Sequence, residues 1–340
     1  MEKGGGVKPT IHILHNERLI GNPTLIESSV VRGSFKLTKS SRLNLDADLI
    51  YTQAYASSDV IHALSYNETP YVVHMGGDIW YELAEDLKRL FFVNRLLSKA
   101  TLIVANSSFL YRIVRANGFE NSIFLPGGLW GLDESIHGIM PSRFRAKKHA
   151  VERHPTLLMN ISTKVKKKYV GIEKFMRLAQ GYLRSTNAQV ICTGEVFNQG
   201  YANQMQHDYG VHFIGRRRDW SSYLPNTATV FVHPSMFDCF PRALAEAKCA
   251  GVPSIAFRVA GNVEVGESPI YVDPNSEVEI VSALRSLLEC HELRSYLGWL
   301  GRRNALRKTE QHRGDYPSIF KILLDEGPKR LIRESKEAVS

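Results

Sequence analysis

The sequence predicts an α/β protein of two domains, each carrying a parallel sheet flanked by helices. Three observations lead there. The chain has 340 residues, too many for one small domain and enough for two of ordinary size. Short apolar, β-branched runs closed by polar residues, glycine or proline recur in both halves, with helical patterns between them. A composition of 44% hydrophobic and 23% charged residues is that of a globular protein with a sizeable core.

The most informative stretch runs from Thr227 to Glu264. Val230 to Val232 is short enough for a buried strand and is closed by Pro234 and Ser235. Pro241 suits a first helical position, where its missing N–H costs nothing. Ala243, Leu244, Ala247 and Ala250 then recur at helical spacing until Gly251 and Pro253 stop the pattern, and Ser254 to Phe257 is the next strand. In a β-loop-α-β unit the helix N-terminus offers free N–H groups and a partial positive charge, a ready site for phosphate. Asp238 lies just before that end, and Glu246 lies about five residues inside it, roughly 7–8 Å further along at 1.5 Å per residue. A diphosphate there has one carboxylate near each of its two substituents. Without further motifs, a plain βαβ unit with solvated helix acids would be the preferred reading.

The stretch resembles the retaining GT-B glycosyltransferases of family four. That family carries Glu-x7-Glu in the setting PS-x-x-E-G-F, five residues, E-A, then A-x-G-x-P and later G-G-x-x-E. Here stand Pro234-Ser235, Asp238-Cys239-Phe240-Pro241-Arg242, Glu246-Ala247, Ala250-Gly251-Val252-Pro253 and Ala260-Gly261-Asn262-Val263-Glu264. Asp238 replaces the first Glu, Cys239 the usual Gly, and Ala260 the first Gly of the last motif. The resemblance implies two Rossmann-like domains facing across a cleft, with a C-terminal helix returning to the first domain. It also implies metal-independent transfer of a hexose-type sugar from a nucleotide-sugar to an acceptor hydroxyl, with retention and no cofactor beyond that co-substrate. Glu246 would fix the ribose and Asp238 would hold sugar hydroxyls, while Phe240 and the N–H groups of Arg242 and Ala243 would border phosphate and sugar. No side chain is assigned as general base, because in the family's usual account the leaving phosphate takes the acceptor's proton.

Along the first half, Ile11 to Leu14 reads as a strand. The family's glycine-rich loop after it has no full counterpart: Gly4 to Gly6 precede the strand and only Gly21-Asn22-Pro23 follows. Asp46-Ala47-Asp48 looks like a metal-binding Asp-x-Asp, but it precedes the apolar run Leu49-Ile50-Tyr51 and reads as the approach to a strand. Pro70 to His74 is a further strand, running into Met75-Gly76-Gly77-Asp78. A lone histidine at a strand end is more often structural; the resemblance places His74 in the cleft beside the donor sugar. Gly76 and Gly77 allow close backbone approach to a ligand. Asp78 either accepts from an acceptor hydroxyl or caps a helix over Ile79 to Leu90, the commoner job. Leu102 to Val104 is a strand, Leu110 to Ala116 is helical, and Ile123 to Pro126 opens a Gly127-Gly128 turn. The polar, basic run from Pro141 to His154 reads as a linker.

Thr156 to Met159 restarts the pattern, followed by a polar, basic stretch to Gly171. In the family the loop after this strand supplies an Arg and a Lys that hold the donor diphosphate, because charge on the leaving group grows as the bond breaks. No Arg stands in that place, and Lys164 and Lys168 are the candidates; Lys166 and Lys167 read as solvated loop. Ala188 to Cys192 and Val211 to Ile214 are strands, the second followed by Arg216-Arg217-Arg218. Of these Arg216 is a donor-binding candidate, with the surface as the other reading. Val278 to Leu288, Leu293 to Leu306 and Ser318 to Glu337 carry helical patterns. The last returns to the first domain, or else turns its basic face of Lys329, Arg330 and Arg333 to a membrane surface.

The expected domains are residues 1–145 on the acceptor side, 146–315 binding the nucleotide-sugar, and 316–340 as the returning helix. No apolar run approaches the roughly 20 residues of a membrane span, and MEKGGGVKPT has no signal-peptide character. A cytoplasmic protein, in solution or peripheral on the inner membrane face, is expected. Four scattered cysteines suggest neither zinc nor disulfides. The net charge of +9 suits nucleic acid, an anionic membrane or a phosphorylated substrate. Nucleic acid is disfavoured, since no binding module is recognisable and basic residues are mixed with acids. The expected partners are a nucleotide-sugar donor and a glycan, lipid-linked or other hydroxyl acceptor. The rival classes are a non-catalytic sugar-nucleotide-binding scaffold and a nucleotide-sugar epimerase on the same fold.

Overall fold

The computed structural model describes residues 8–14, 29–40, 42–54, 58–66, 68–125, 155–217, 223–224, 229–312 and 315–339. The glycines at 4–6 and 21, the turn at 127–128, the linker at 141–154 and Arg218 lie outside them. The chain divides into two compact units, Met1–Gly131 with Gln311–Ser340, and Leu132–Glu310.

The first unit holds β1 (Thr10–Leu14), α1 (Ser29–Ser34), β2 (Lys36–Ser40), β3 (Leu49–Gln53), α2 (Ser58–Ser65), β4 (Tyr71–Met75), α3 (Ile79–Glu82), α4 (Leu87–Lys99), β5 (Leu102–Ala105), α5 (Ser108–Ala116) and β6 (Ser122–Phe124). Its six strands lie in the order β2-β1-β3-β4-β5-β6, all parallel. Leu49, Ile50, Val72, Val73, Leu102, Ile103 and Val104 in the middle strands are fully buried, as sheets covered on both faces require. Asp48 Oδ2 accepts from the Thr10 N–H at 2.7 Å, so this member of the Asp-x-Asp stitches the start of β3 to β1.

The second unit holds β7 (Thr156–Asn160), α6 (Lys166–Thr186), β8 (Gln189–Thr193), α7 (Gln199–Tyr209), β9 (Val211–Phe213), β10 (Val230–His233), α8 (Arg242–Cys249), β11 (Ser254–Phe257), a 3-10 turn (Ala260–Val265), β12 (Ile270–Val272), α9 (Glu277–Glu289) and α10 (His291–His312). Its parallel sheet runs β12-β11-β10-β7-β8-β9. Read from its other edge, this is the doubly wound order 3-2-1-4-5-6, whose direction reverses between β7 and β10. In a doubly wound sheet the connections from the two strands that flank this reversal leave on opposite faces, which opens a crevice at their carboxyl ends. Ligands of such sheets bind in that crevice.

Helices α11 (Asp315–Asp325) and α12 (Lys329–Val339) return to the first unit, where Tyr316, Ile319, Phe320, Leu323 and Leu331 join the core of β1, β3, β4 and β5. Three local expectations are corrected. The helix expected over Ile79 to Leu90 is two helices, because the Asp86 carboxylate takes the Arg89 N–H at 3.0 Å and starts α4 afresh. The terminal helix is also two, since Gly327 at φ +76° and Pro328 break it. The basic stretch from Lys166 is not loop but the first turn of the 21-residue α6, whose Tyr169, Ile172, Phe175, Met176, Ala179 and Leu183 are buried in the second core.

Candidate active site

The crevice of the second sheet is built by two connections. After β10 the chain passes Pro234 and Ser235, runs through 236–240 and enters α8. Pro241 is the residue flanking α8 rather than its first helical position, with φ −74° and extended ψ. Leu244 and Ala245 already donate to the Pro241 carbonyl at 3.1 Å, so the first-turn N–H groups of Arg242 and Ala243 lie ahead of the helical ladder. No side chain caps α8, and none caps α6, which starts after Val165.

The two connections are locked together. The Met236 N–H donates to the Lys167 carbonyl at 3.1 Å. A Cβ at Gly171 would stand 1.6 Å from the Pro234 carbonyl oxygen, so only glycine allows α6 to approach this close. Gly261 serves the same purpose on the other side: its N–H donates to the Asp238 carbonyl at 2.8 Å, and a Cβ would lie 1.9 Å from the Cys239 oxygen. Ala260, beside it, holds φ +46°, where glycine would be unstrained.

This packing brings Lys168 Nζ to 3.4 Å from Asp238 Oδ2, the carboxylate being largely buried. His233, at the end of β10, lies with Nε2 3.9 Å from the same oxygen. Among the described residues neither His233 ring nitrogen has a hydrogen-bond partner, although the residue is 3% exposed. Burial pushes its pKa down to about 4, with Asp238 pulling it up and Lys168 adding to the depression, so the ring is neutral at pH 7. Glu246 is buried one turn into α8 and takes the Arg242 Nε–H at 2.8 Å. Phe240 is buried at the helix entrance. Two uncapped helix N-termini, a lysine and two carboxylates therefore surround the carboxyl ends of β7 and β10. That is a place for an anion carrying hydroxylated substituents.

Two donor-binding candidates lie elsewhere in the unit. Lys164 is exposed, with Nζ 6.0 Å from the Phe197 ring centre. Arg216 is exposed and ion-paired to Glu195 at 3.5 Å. The structure brings Lys168, and neither of these, to Asp238.

In the first unit His74 sits at the end of β4 with Nδ1 2.8 Å from the Tyr316 hydroxyl. Burial lowers its pKa to about 4, so it too is neutral. Gly76 is exposed and faces the Asn106 amide, whose Oδ1 is buried without a partner among the described residues; Gly77 is buried. Asp78 caps α3, accepting from the Tyr81 N–H at 3.1 Å. Three residues of these neighbourhoods escaped the sequence. His233 was hidden as the last residue of an apolar run, Tyr316 is 242 positions from His74, and Asn262 was read as a motif spacer. The Asn262 amide donates to the Ser235 and Phe257 carbonyls at 3.1 and 3.0 Å, holding the loop before Asp238 to β11.

With the geometry in place, comparison with known proteins places the chain. Residues 157–290 match the family described as Glycosyl transferases group 1. HepE from Anabaena, solved with UDP and glucose, superimposes with a TM-score of 0.68 at 15% identity, over 92% of this chain and 99% of that one. Sucrose-phosphate synthase from Thermosynechococcus elongatus gives 0.62 at 18% identity, covering 82% and 74%. A UDP-forming α,α-trehalose-phosphate synthase from Burkholderia xenovorans, solved with glucose-6-phosphate, gives 0.60 at 13%, covering 82% and 75%. A search of curated proteins gives no match. At these identities the structures speak for the fold, which is GT-B, with two Rossmann-like units. The chain is a glycosyltransferase of the GT-B class. More particularly, residues 157–290 resemble the group 1 glycosyltransferases, and the assignment belongs to that stretch.

Proposed function

We propose that the protein transfers a hexose-type sugar from a nucleotide-sugar to an acceptor hydroxyl, retaining the anomeric configuration and using no metal. The observation that carries this reading is the Lys168–Asp238 pair at the reversal point of the second sheet, ahead of the first turn of α8. The donor diphosphate lies against the N–H groups of Arg242 and Ala243, and Lys168 turns from Asp238 to the phosphate as charge grows on the leaving group. Asp238, released, takes sugar hydroxyls, and Glu246 takes the ribose. Lys168 and the N-terminal dipoles of α6 and α8 are the groups this reading assigns to charge stabilisation on the leaving phosphate. His74 is the first unit's residue assigned to the sugar. UDP in the HepE structures makes a uridine donor the first to test, and the glucose-6-phosphate complex makes a phosphorylated sugar a sensible acceptor. A protein acting at the inner membrane face on a lipid-linked acceptor is a further form of the same reading.

The test is equilibrium binding of UDP, GDP, ADP and their hexose conjugates with EDTA present throughout. Binding of one nucleotide is expected, weakened about tenfold or more by Glu246→Ala and by Lys168→Ala, the size of one charge-assisted hydrogen bond. No binding across the panel, or binding that only a divalent cation restores, would overturn the reading.

A further inference from the structure

His233 is a buried donor without an acceptor in reach. Its side chain is 4% exposed, and among the described residues both ring nitrogens lack a hydrogen-bond partner. A buried polar group in that state is costly, and most buried side-chain polar atoms are bonded. The backbone that carries the ring is fixed, since His233 is the last residue of β10 and pairs in register with Ala256 of β11. Nε2 lies 3.9 Å from Asp238 Oδ2, short of bonding by roughly 1 Å.

Asp238 stands between two partners of different kinds. Lys168 Nζ, 3.4 Å from Oδ2, ends a long side chain that is 30% exposed, so it can turn to a ligand. His233 is held on the sheet. The Asp238 carbonyl accepts from the Gly261 N–H at 2.8 Å, which ties its backbone and leaves rotation of the side chain as the means of reaching the imidazole. A carboxylate only 13% exposed that loses its ammonium partner becomes an uncompensated buried charge unless another donor takes over. Burial keeps the His233 ring neutral, with one proton for two nitrogens. The carboxylate favours that proton on Nε2, the nitrogen paired with Oδ2.

We propose that His233 is a positioning residue: when Lys168 turns to the donor diphosphate, Asp238 exchanges that partner for the Nε2–H of His233. One carboxylate oxygen is then fixed by the imidazole, and the other is presented to the sugar hydroxyls. The inference rests on the donor-site reading made above. It supplies the group that holds Asp238 once its lysine has gone. A neutral donor suits that place, because it bonds the carboxylate without cancelling the charge that attracts the hydroxyls. The bond gained by the imidazole also offsets part of the ion pair that Lys168 gives up.

The contact can be read apart from any donor. In the full chain with 15N-labelled histidine, the His233 ring signals are assigned by their loss in His233→Phe. Lys168→Met removes the ammonium and keeps the stem, so Asp238 should turn without a ligand. The His233 proton is then expected on Nε2 and shifted downfield from its wild-type position, and adding Asp238→Ala should abolish the shift. UDP, GDP and ADP are next added in turn to the wild-type protein, and the one that binds should produce the same shift. With that nucleotide and its hexose conjugate, His233→Phe should weaken the conjugate about tenfold, one charge-assisted hydrogen bond's contribution, and the bare nucleotide by less than about twofold. His233→Gln, whose amide can donate from the place of Nε2, should recover most of the loss. No shift in Lys168→Met, or equal losses for nucleotide and conjugate in His233→Phe, would overturn the proposal. A shift in Lys168→Met that no nucleotide reproduces would support the His233–Asp238 contact and overturn the reading of Lys168 as the diphosphate ligand.

Discussion

His233 shows how burial sets the behaviour of a single residue. Its ring lies against Asp238, with Lys168 beyond, and burial outweighs the carboxylate, lowering the pKa from 6.5 to about 4. The unfolded chain therefore takes up a proton at this position near pH 6.5, and the folded protein does so only near pH 4. A depressed folded pKa means that stability is complete above the unfolded value and is lost as pH falls towards the folded one. The loss is about 1.4 kcal/mol for each pH unit in that window. His74, depressed by burial in the same direction, adds to the slope. Urea unfolding followed from pH 7 to pH 4.5 should show stability falling on acidification, with a shallower fall in His233→Phe. An unchanged slope in that variant would mean that His233 is already protonated in the folded protein and bonded to Asp238.

At the scale of elements, the approach of α6 to the chain between β10 and α8 builds the donor site, and Gly171 permits it. An alanine there would place a methyl group on the Pro234 carbonyl, so the helix or the loop has to move. Gly171→Ala should destabilise the protein by about 3 kcal/mol and separate Lys168 from Asp238. Thermal melting and nucleotide affinity check the two parts, and an unaffected affinity would show that the pair does not depend on this contact. The same region shows what the sequence could and could not disclose. The strands at β7, β10 and β11 were legible because β-branched runs end on Gly, Pro or Ser, and α8 because Pro241 opens it and Gly251 closes it. The start of α6 was not. Val165 offers no side-chain cap, three lysines oppose the helix dipole, and Gly171 is a poor helix former, so every local signal opposed a helix that tertiary burial of Tyr169, Ile172 and Phe175 enforces. The pairing of Lys168 rather than Lys164 with Asp238 depends on this turn, which carries Lys168, the third residue of α6, to the Asp238 carboxylate.

At the scale of the whole molecule, the first unit is not continuous in sequence: it closes only when residues 311–340 join it. The amphipathic pattern of the terminal stretch was legible, and so was its return to the first domain; the side chains it spends there were not. Leu331 is buried, Ile332 packs on the first core, and the Ser335 hydroxyl accepts from the Phe124 N–H at 2.7 Å, so the apolar face is spent inside the protein. Arg330, read as part of a basic face for membrane, is paired with Glu326 and Glu334 at 3.2 and 2.9 Å. Burial of Tyr316, Ile319, Phe320, Leu323 and Leu331 contributes about 2 kcal/mol each. Together this approaches roughly 10 kcal/mol, the size of a domain's entire net stability. A chain ending at residue 314 should therefore lose the first sheet while the second unit, whose core draws nothing from α11 or α12, stays folded. Amide hydrogen exchange separates the two: β3, β4 and β5 should exchange freely, and β7, β8 and β10 should stay protected. Protection retained in β3 to β5 would show that the first sheet stands without its returning helices.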